Sequence, residues 1–147
     1  MRRIVKISDS KTLFIACFRY CFMILLISED FQNTWFSRFA DKEGITDDEL
    51  KEAVKLLEAG QADANLGGDV YKVRLARPSE GKSGGYRVVV LFKKKDRTFF
   101  VYGFAKSNRG NISQREIRNF KELAKEHMDL TEKVIERAVK IGEFIEI

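Results

Sequence analysis

The chain has 147 residues, 44% hydrophobic and 33% charged, with 12 Phe, 4 Tyr and one Trp, which suits one folded domain and excludes disorder as its resting state. One Pro, ten Gly and only two cysteines, Cys17 and Cys21 in one apolar stretch, exclude collagen-like chains and a disulfide framework, and fit a reducing compartment. The net charge of +5 hides a partition, because residues 71–119 carry 13 basic and 3 acidic groups whereas residues 41–70 carry 3 and 9, a local excess that favours a polyanionic partner.

Residues 1–30 read as an atypical apolar extension, and residues 31–147 as the domain proper. The run TLFIACFRYCFMILLI (12–27) contains Arg19 and is shorter than the ~20 residues that span a bilayer. The SEDF that follows offers no small-residue cleavage site. A peripheral anchor and a packed extra element are both open, but the composition break near Ser28 favours a start assigned too early, with Met23 as the native first residue. Membrane and secreted locations are therefore not expected, and a cytoplasmic one is.

Trp35, Phe36 and Phe39 recur at helical spacing, ending at Gly44. Ile45-Thr46-Asp47-Asp48-Glu49-Leu50 combines a Thr/Glu capping box with an Ile45–Leu50 staple, so a helix starts at Thr46 and stops at Gly60. From Asp69 the period changes to two. Val70, Lys72, Arg74 and Ala76 then face one way, and Tyr71, Val73, Leu75 and Arg77 the other. PSEGKSGG (78–85) is expected as a turn-rich connection, YRVVVLFKKK as a buried strand, KKDR as a turn and TFFVYGFAK (98–106) as a third strand, with Gly103 marking a bulge or a close backbone approach. Short connections imply an antiparallel meander. Ser113 and Glu116 form a second capping box, Thr131 caps a last helix ending at Gly142, and FIEI is a short strand. The class is α+β: a small sheet packed against helices.

His127 is the only histidine and lies among no Cys, Asp or Glu at ligand spacing, so it reads as a surface helix residue, and neither a metal nor another cofactor is expected. A Ser–His or Cys–His nucleophile would have to use that same histidine, and both cysteines lie in the N-terminal segment, so hydrolase triads are discarded. GKSGG has the letters of a P-loop but lacks its earlier glycine and joins two strands. What remains is an array of cations: Lys72 and Arg74 on one strand face, Arg87 on the next strand, Lys106 at the end of the third and Arg109 beyond it. Such groups suit RNA cleavage by the substrate's own 2′-OH, since charge accumulates on phosphate in the transition state. Arginine forks hold phosphate oxygens while a lysine of lowered pKa, or a water, moves the proton. Binding without cleavage uses the same cations, and Arg74 and Arg87 have acids of the 46–59 helix as alternative partners.

Three segments, TWFSRFADKEGI (34–45), VYKVRLAR with GKSGGYRV (70–88) and FFVYGFAKSNRGNIS (99–113), resemble the RelE/HigB-like toxins of bacterial type II toxin–antitoxin systems in order and spacing. The resemblance covers residues 31–147. It implies a RelE-type α+β fold, an endoribonuclease cutting mRNA in the ribosomal A site, and a helix-turn-helix antitoxin through which alone the toxin meets DNA. Carried onto this sequence, it implies catalytic roles for Lys72, Arg74, Arg87 and Lys106, and RNA contacts for Arg77, Lys82, Arg109 and Tyr102. Many relatives place a base-stacking tyrosine near the last loop, where this chain reads SNRGNIS. Tyr102 is the substitute, and a protein of this fold acting only by binding RNA or the antitoxin is the alternative.

Overall fold

The computed structural model describes residues 29–77 and 81–147, without the side chains of 81–83. The expectations for residues 1–28 and the Lys82 side chain lie outside the described residues. Chain order is β1 (Glu29–Asn33), α1 (Thr34–Glu43), α2 (Asp47–Glu58), β2 (Ala64–Gly67), β3 (Val70–Arg77), β4 (Gly81–Lys93), β5 (Arg97–Ala105), α3 (Gln114–Met128), α4 (Glu132–Ile141) and β6 (Phe144–Glu146). Among the described residues no helix is long and apolar enough to cross a membrane.

Helix starts follow the chemistry of their first residues. Thr46 and Ser113 each accept a hydrogen bond from the backbone N–H three residues on, while Glu49 and Glu116 reach back to the cap. Each box satisfies donors that the first turn would otherwise leave orphaned, and a cap is worth about 1 kcal/mol. Ile45 and Leu50, the staple pair, are both buried. Asn33 does double duty: its Oδ1 accepts from Phe36 N–H at 2.7 Å, and its Nδ2 donates to the Val101 carbonyl at 3.1 Å.

The described strands form one six-stranded sheet ordered β2-β3-β4-β5-β1-β6. β3 to β5 make the expected antiparallel meander; β2, which the sequence did not signal, extends it antiparallel to β3, and β1 lies parallel to β5 and β6 antiparallel to β1. Helices cover both faces. On one, Phe36 and Ala40 of α1 and Leu50, Val54 and Leu57 of α2 pack on Val73, Leu75, Tyr86, Val88, Val90 and Phe100. On the other, Ile112, Ala124, Ile135 and Ala138 pack on Phe31, Val70, Val89, Leu91, Phe99 and Phe104. Burying each Val, Leu, Ile or Phe among them contributes about 1.5–3 kcal/mol.

Two local expectations change. The glycine run belongs to β4 rather than to the connection, because Gly81 pairs with Arg77 across a register shift after Leu75. Gly103 is a close approach: a Cβ built there would lie 2.4 Å from the Phe39 ring, and the β4–β5 register also shifts nearby, between Val89 and Val90. His127 is not a simple surface residue. Its ring packs edge-on to Phe99 at 4.8 Å and tilted against Phe144 at 5.3 Å, and burial pushes its pKa below the ordinary value, as desolvation does for a cation.

Candidate functional site

Strand register assembles the cations before any loop contributes. Arg74 of β3 lies opposite Arg87 of β4, which lies opposite Phe104 of β5. One row along, Lys72 is opposite Val89 and Val89 opposite Tyr102. Side chains directly opposite in a pleated sheet share a face, so Lys72, Arg74, Arg87 and Tyr102 converge on the α3 side, as the period-two pattern implies.

The two arginines differ in environment. Arg74 is half exposed, with its Nε 2.7 Å from Asp63 Oδ1; its acid lies past the end of α2, not within the 46–59 helix. Arg87 is only 6% exposed. Its Nη1 is sealed from solvent and has no hydrogen-bond partner among the described residues. A buried guanidinium without a counter-charge costs several kcal/mol, so the position calls for an anion.

The loop after β5 is held by Arg109. Its guanidinium grips both carboxylate oxygens of Glu116, with Nη1 2.7 Å from Oε1 and Nη2 bonded to Oε2, while Nη1 also donates to the Tyr102 hydroxyl at 3.3 Å and Nε to the Asn111 carbonyl at 2.9 Å. It lies over the Phe104 ring at 5.5 Å and the Tyr102 ring at 6.0 Å, a cation–π placement that adds to the ion pair. Arg109 and the Ser113 cap hold the Glu116 carboxyl far below the usual range, at about 2, and Arg109 is pushed up in turn. Asn111 ties this loop to the strands, accepting from Lys72 Nζ at 3.3 Å and from Ile112 N–H at 2.9 Å. Lys106 is exposed, and its backbone N–H reaches the Gly85 carbonyl at 3.3 Å.

Arg77 is placed apart from this group. Its guanidinium lies 5.5 Å over the Tyr86 ring, in the core on the α1/α2 side, where the Tyr86 hydroxyl donates to Glu43 at 2.9 Å. Desolvation, followed by Glu43, raises the Tyr86 pKa. Trp35 is a residue that helical spacing assigned to the apolar face. Its ring stacks on Tyr102 at 4.7 Å and on Phe39 at 5.7 Å, yet it is 48% exposed, which sets an open aromatic surface beside the cations. No sequence signal marks it: α1 starts directly from β1 at Asn33, whose side chain is tied to the Val101 carbonyl of β5, and that pairing brings Trp35 beside Tyr102. Among the described residues no group of three His, Cys, Asp or Glu side chains is arranged to hold a metal ion.

The arrangement can bind a phosphate on Arg87, with Arg74 and Lys72 beside it and aromatic rings at its border. The chain matches no curated protein. A family model, that of the RelE toxin of the RelE/RelB toxin–antitoxin system, matches residues 29–147, and that match begins where β1 begins. By fold, by the segments that carry the resemblance and by this match over most of its length, the chain belongs to the RelE toxin family, the toxin half of a toxin–antitoxin pair.

Proposed function

We propose that this toxin is an endoribonuclease that cuts mRNA on the translating ribosome, in the cytoplasm, and that it is held inactive by a helix-turn-helix antitoxin. The observation that carries the reading is the buried Arg87 guanidinium, unpaired among the described residues and flanked by Arg74 and Lys72. RNA supplies the missing anion.

In the reaction the substrate's 2′-oxygen bonds to the adjacent phosphorus and the bond from phosphorus to the 5′-oxygen breaks. The products are a 2′,3′-cyclic phosphate and a 5′-hydroxyl. The 2′ proton passes to a lysine amine or a water, and another proton is delivered to the leaving 5′-oxygen. Arg87 holds the phosphate oxygens as their charge grows, in a site where burial strengthens the interaction. Lys72, steadied by Asn111, and the exposed Lys106 are the candidates for proton movement, and Arg74 adds a second cation. His127, packed on Phe99 and Phe144, takes no part.

The test is induction of the full chain and of its Arg87→Ala variant, with primer extension on a translated message. Loss of one electrostatic stabiliser slows cleavage by about 10²–10³, so new 5′ ends and growth arrest are expected from the wild type alone. Equal cleavage by a folded Arg87→Ala protein would remove Arg87 from the mechanism. An intact message with RNA still bound by the wild type would leave a toxin-fold protein that acts by binding.

A further inference from the structure

Arg109 sits beside the site but is already engaged. Its Nε, Nη1 and Nη2 all have acceptors within the protein, Glu116 matches its charge, and the Phe104 and Tyr102 rings lie against it. A carboxylate gripped by both oxygens fills the guanidinium fork as a phosphate would, so binding one means releasing the other. What the guanidinium does instead is fix a loop. Glu116 ties it to the start of α3, Tyr102 ties it to β5, and the bond from Nε to the Asn111 carbonyl holds the backbone between them.

The side chain carried by that backbone reaches the site. Asn111 Oδ1 accepts from Ile112 N–H at 2.9 Å and from Lys72 Nζ at 3.3 Å, and two donors meeting at one atom settle which end of the amide is oxygen. Lys72 is diagonal to Arg87, since it lies opposite Val89 while Arg74 lies opposite Arg87, a Cα separation of about 7–8 Å. A lysine stem left alone swings its amine through many rotamers; tied at Nζ, the amine keeps one direction. The tie is also uncharged. An amide oxygen accepts an N–H from the neutral amine, whereas a carboxylate in its place would favour the ammonium.

We propose that Asn111 is a positioning residue of the cleavage reaction: it aims the Lys72 amine at the nucleotide whose phosphate Arg87 holds, and Arg109 keeps Asn111 in place rather than binding RNA. The neutral amine takes the 2′ proton as the 2′-oxygen bonds to phosphorus, and Lys72 ends the step as the ammonium. The leaving 5′-oxygen takes its proton from Lys106 or a water. This inference rests on the RNA reading above, and its test separates the two.

The full chain and its variants are compared in two assays: single-turnover cleavage of a translated message across a range of pH, and anisotropy titration of a labelled 2′-O-methyl oligonucleotide, which cannot be cut through the 2′-OH. Asn111→Ala should slow cleavage by about 10²-fold and leave oligonucleotide affinity unchanged. Asn111→Asp sets a carboxylate beside Nζ and should move the rate–pH profile upward by about one unit. The other charged groups around Lys72 are the same in that variant: Arg74 and Arg87 on the strands, Asp63 before β2, and Arg109, Glu116 and Lys121 from the loop and α3. Arg109→Lys keeps the charge but loses the fork, and should slow cleavage as Asn111→Ala does.

Wild-type cleavage by Asn111→Ala or by Arg109→Lys overturns the inference and leaves the RNA reading standing. So does an equal loss of rate and affinity in Asn111→Ala, or an Asn111→Asp profile that keeps its position. If Asn111→Ala fails to fold, the Asn111→Asp profile decides. A wild type that cuts no message overturns the RNA reading itself.

Discussion

The buried Arg87 side chain has an Nη1 with no hydrogen-bond partner among the described residues, so function and stability should pull apart at that position. Replacing it with methionine, of similar volume and no charge, removes the burial cost while keeping the packing. Arg87→Met is expected to be more stable than wild type by about 1 kcal/mol or more in urea denaturation, and inactive. A less stable Arg87→Met would mean that the guanidinium is already satisfied in the free protein. Sequence periodicity places Lys72, Arg74 and Arg87 correctly on one face, because burial of Val70, Val89 and Leu91 fixes the register. It also sets Arg77 on the opposite face, with Val73 and Leu75, where the guanidinium lies over the Tyr86 ring; only the resemblance groups Arg77 with the RNA contacts. The Asp63–Arg74 and Glu116–Arg109 pairs are unreadable without the turns that bring them together.

Helix boundaries are the most legible elements, since each is written by residues within four positions of the end: Thr46, Ser113 and Thr131 as caps, Gly44 and Gly142 in the left-handed region as stops. β1 and β2 are the least legible. EDFQN and ANLG are short and mixed in polarity, and become strands only because β5 and β3 offer edges. Glu116 shows what an element gains from a distant partner, as it closes the α3 capping box and also fixes Arg109. A carboxyl whose folded pKa of about 2 lies below its ordinary 4.5 adds stability that is complete above pH ~4.5 and lost as pH falls toward 2. Glu116→Gln should therefore be less stable than wild type at pH 7, with the difference shrinking between pH 4.5 and 2 in thermal denaturation. A gap that stays constant over that range would show that Glu116 acts through its shape and not its charge.

At the scale of the molecule, one sheet serves two cores, and the core on the α3/α4 side depends on Phe144. Its ring meets Phe31 at 6.1 Å and Phe99 at 5.1 Å. Phe144→Ala should cost about 3 kcal/mol by urea denaturation, and a loss under 1 kcal/mol would show that β6 is a loose flap rather than part of the core. The α+β class and the meander are legible in the sequence because neighbouring segments pair there. The parallel β1–β5 contact is not, because residues that pair across more than sixty positions leave no local trace. That same pairing orders events in time. β1 is formed early in synthesis, yet its two hydrogen-bonding neighbours are residues 97–105 and 144–146, and long-range pairing of this kind is slow. A nascent chain bearing β1 to β4 has no completed sheet. The sheet therefore closes only after residues 144–146 have been made, late in the synthesis of each molecule.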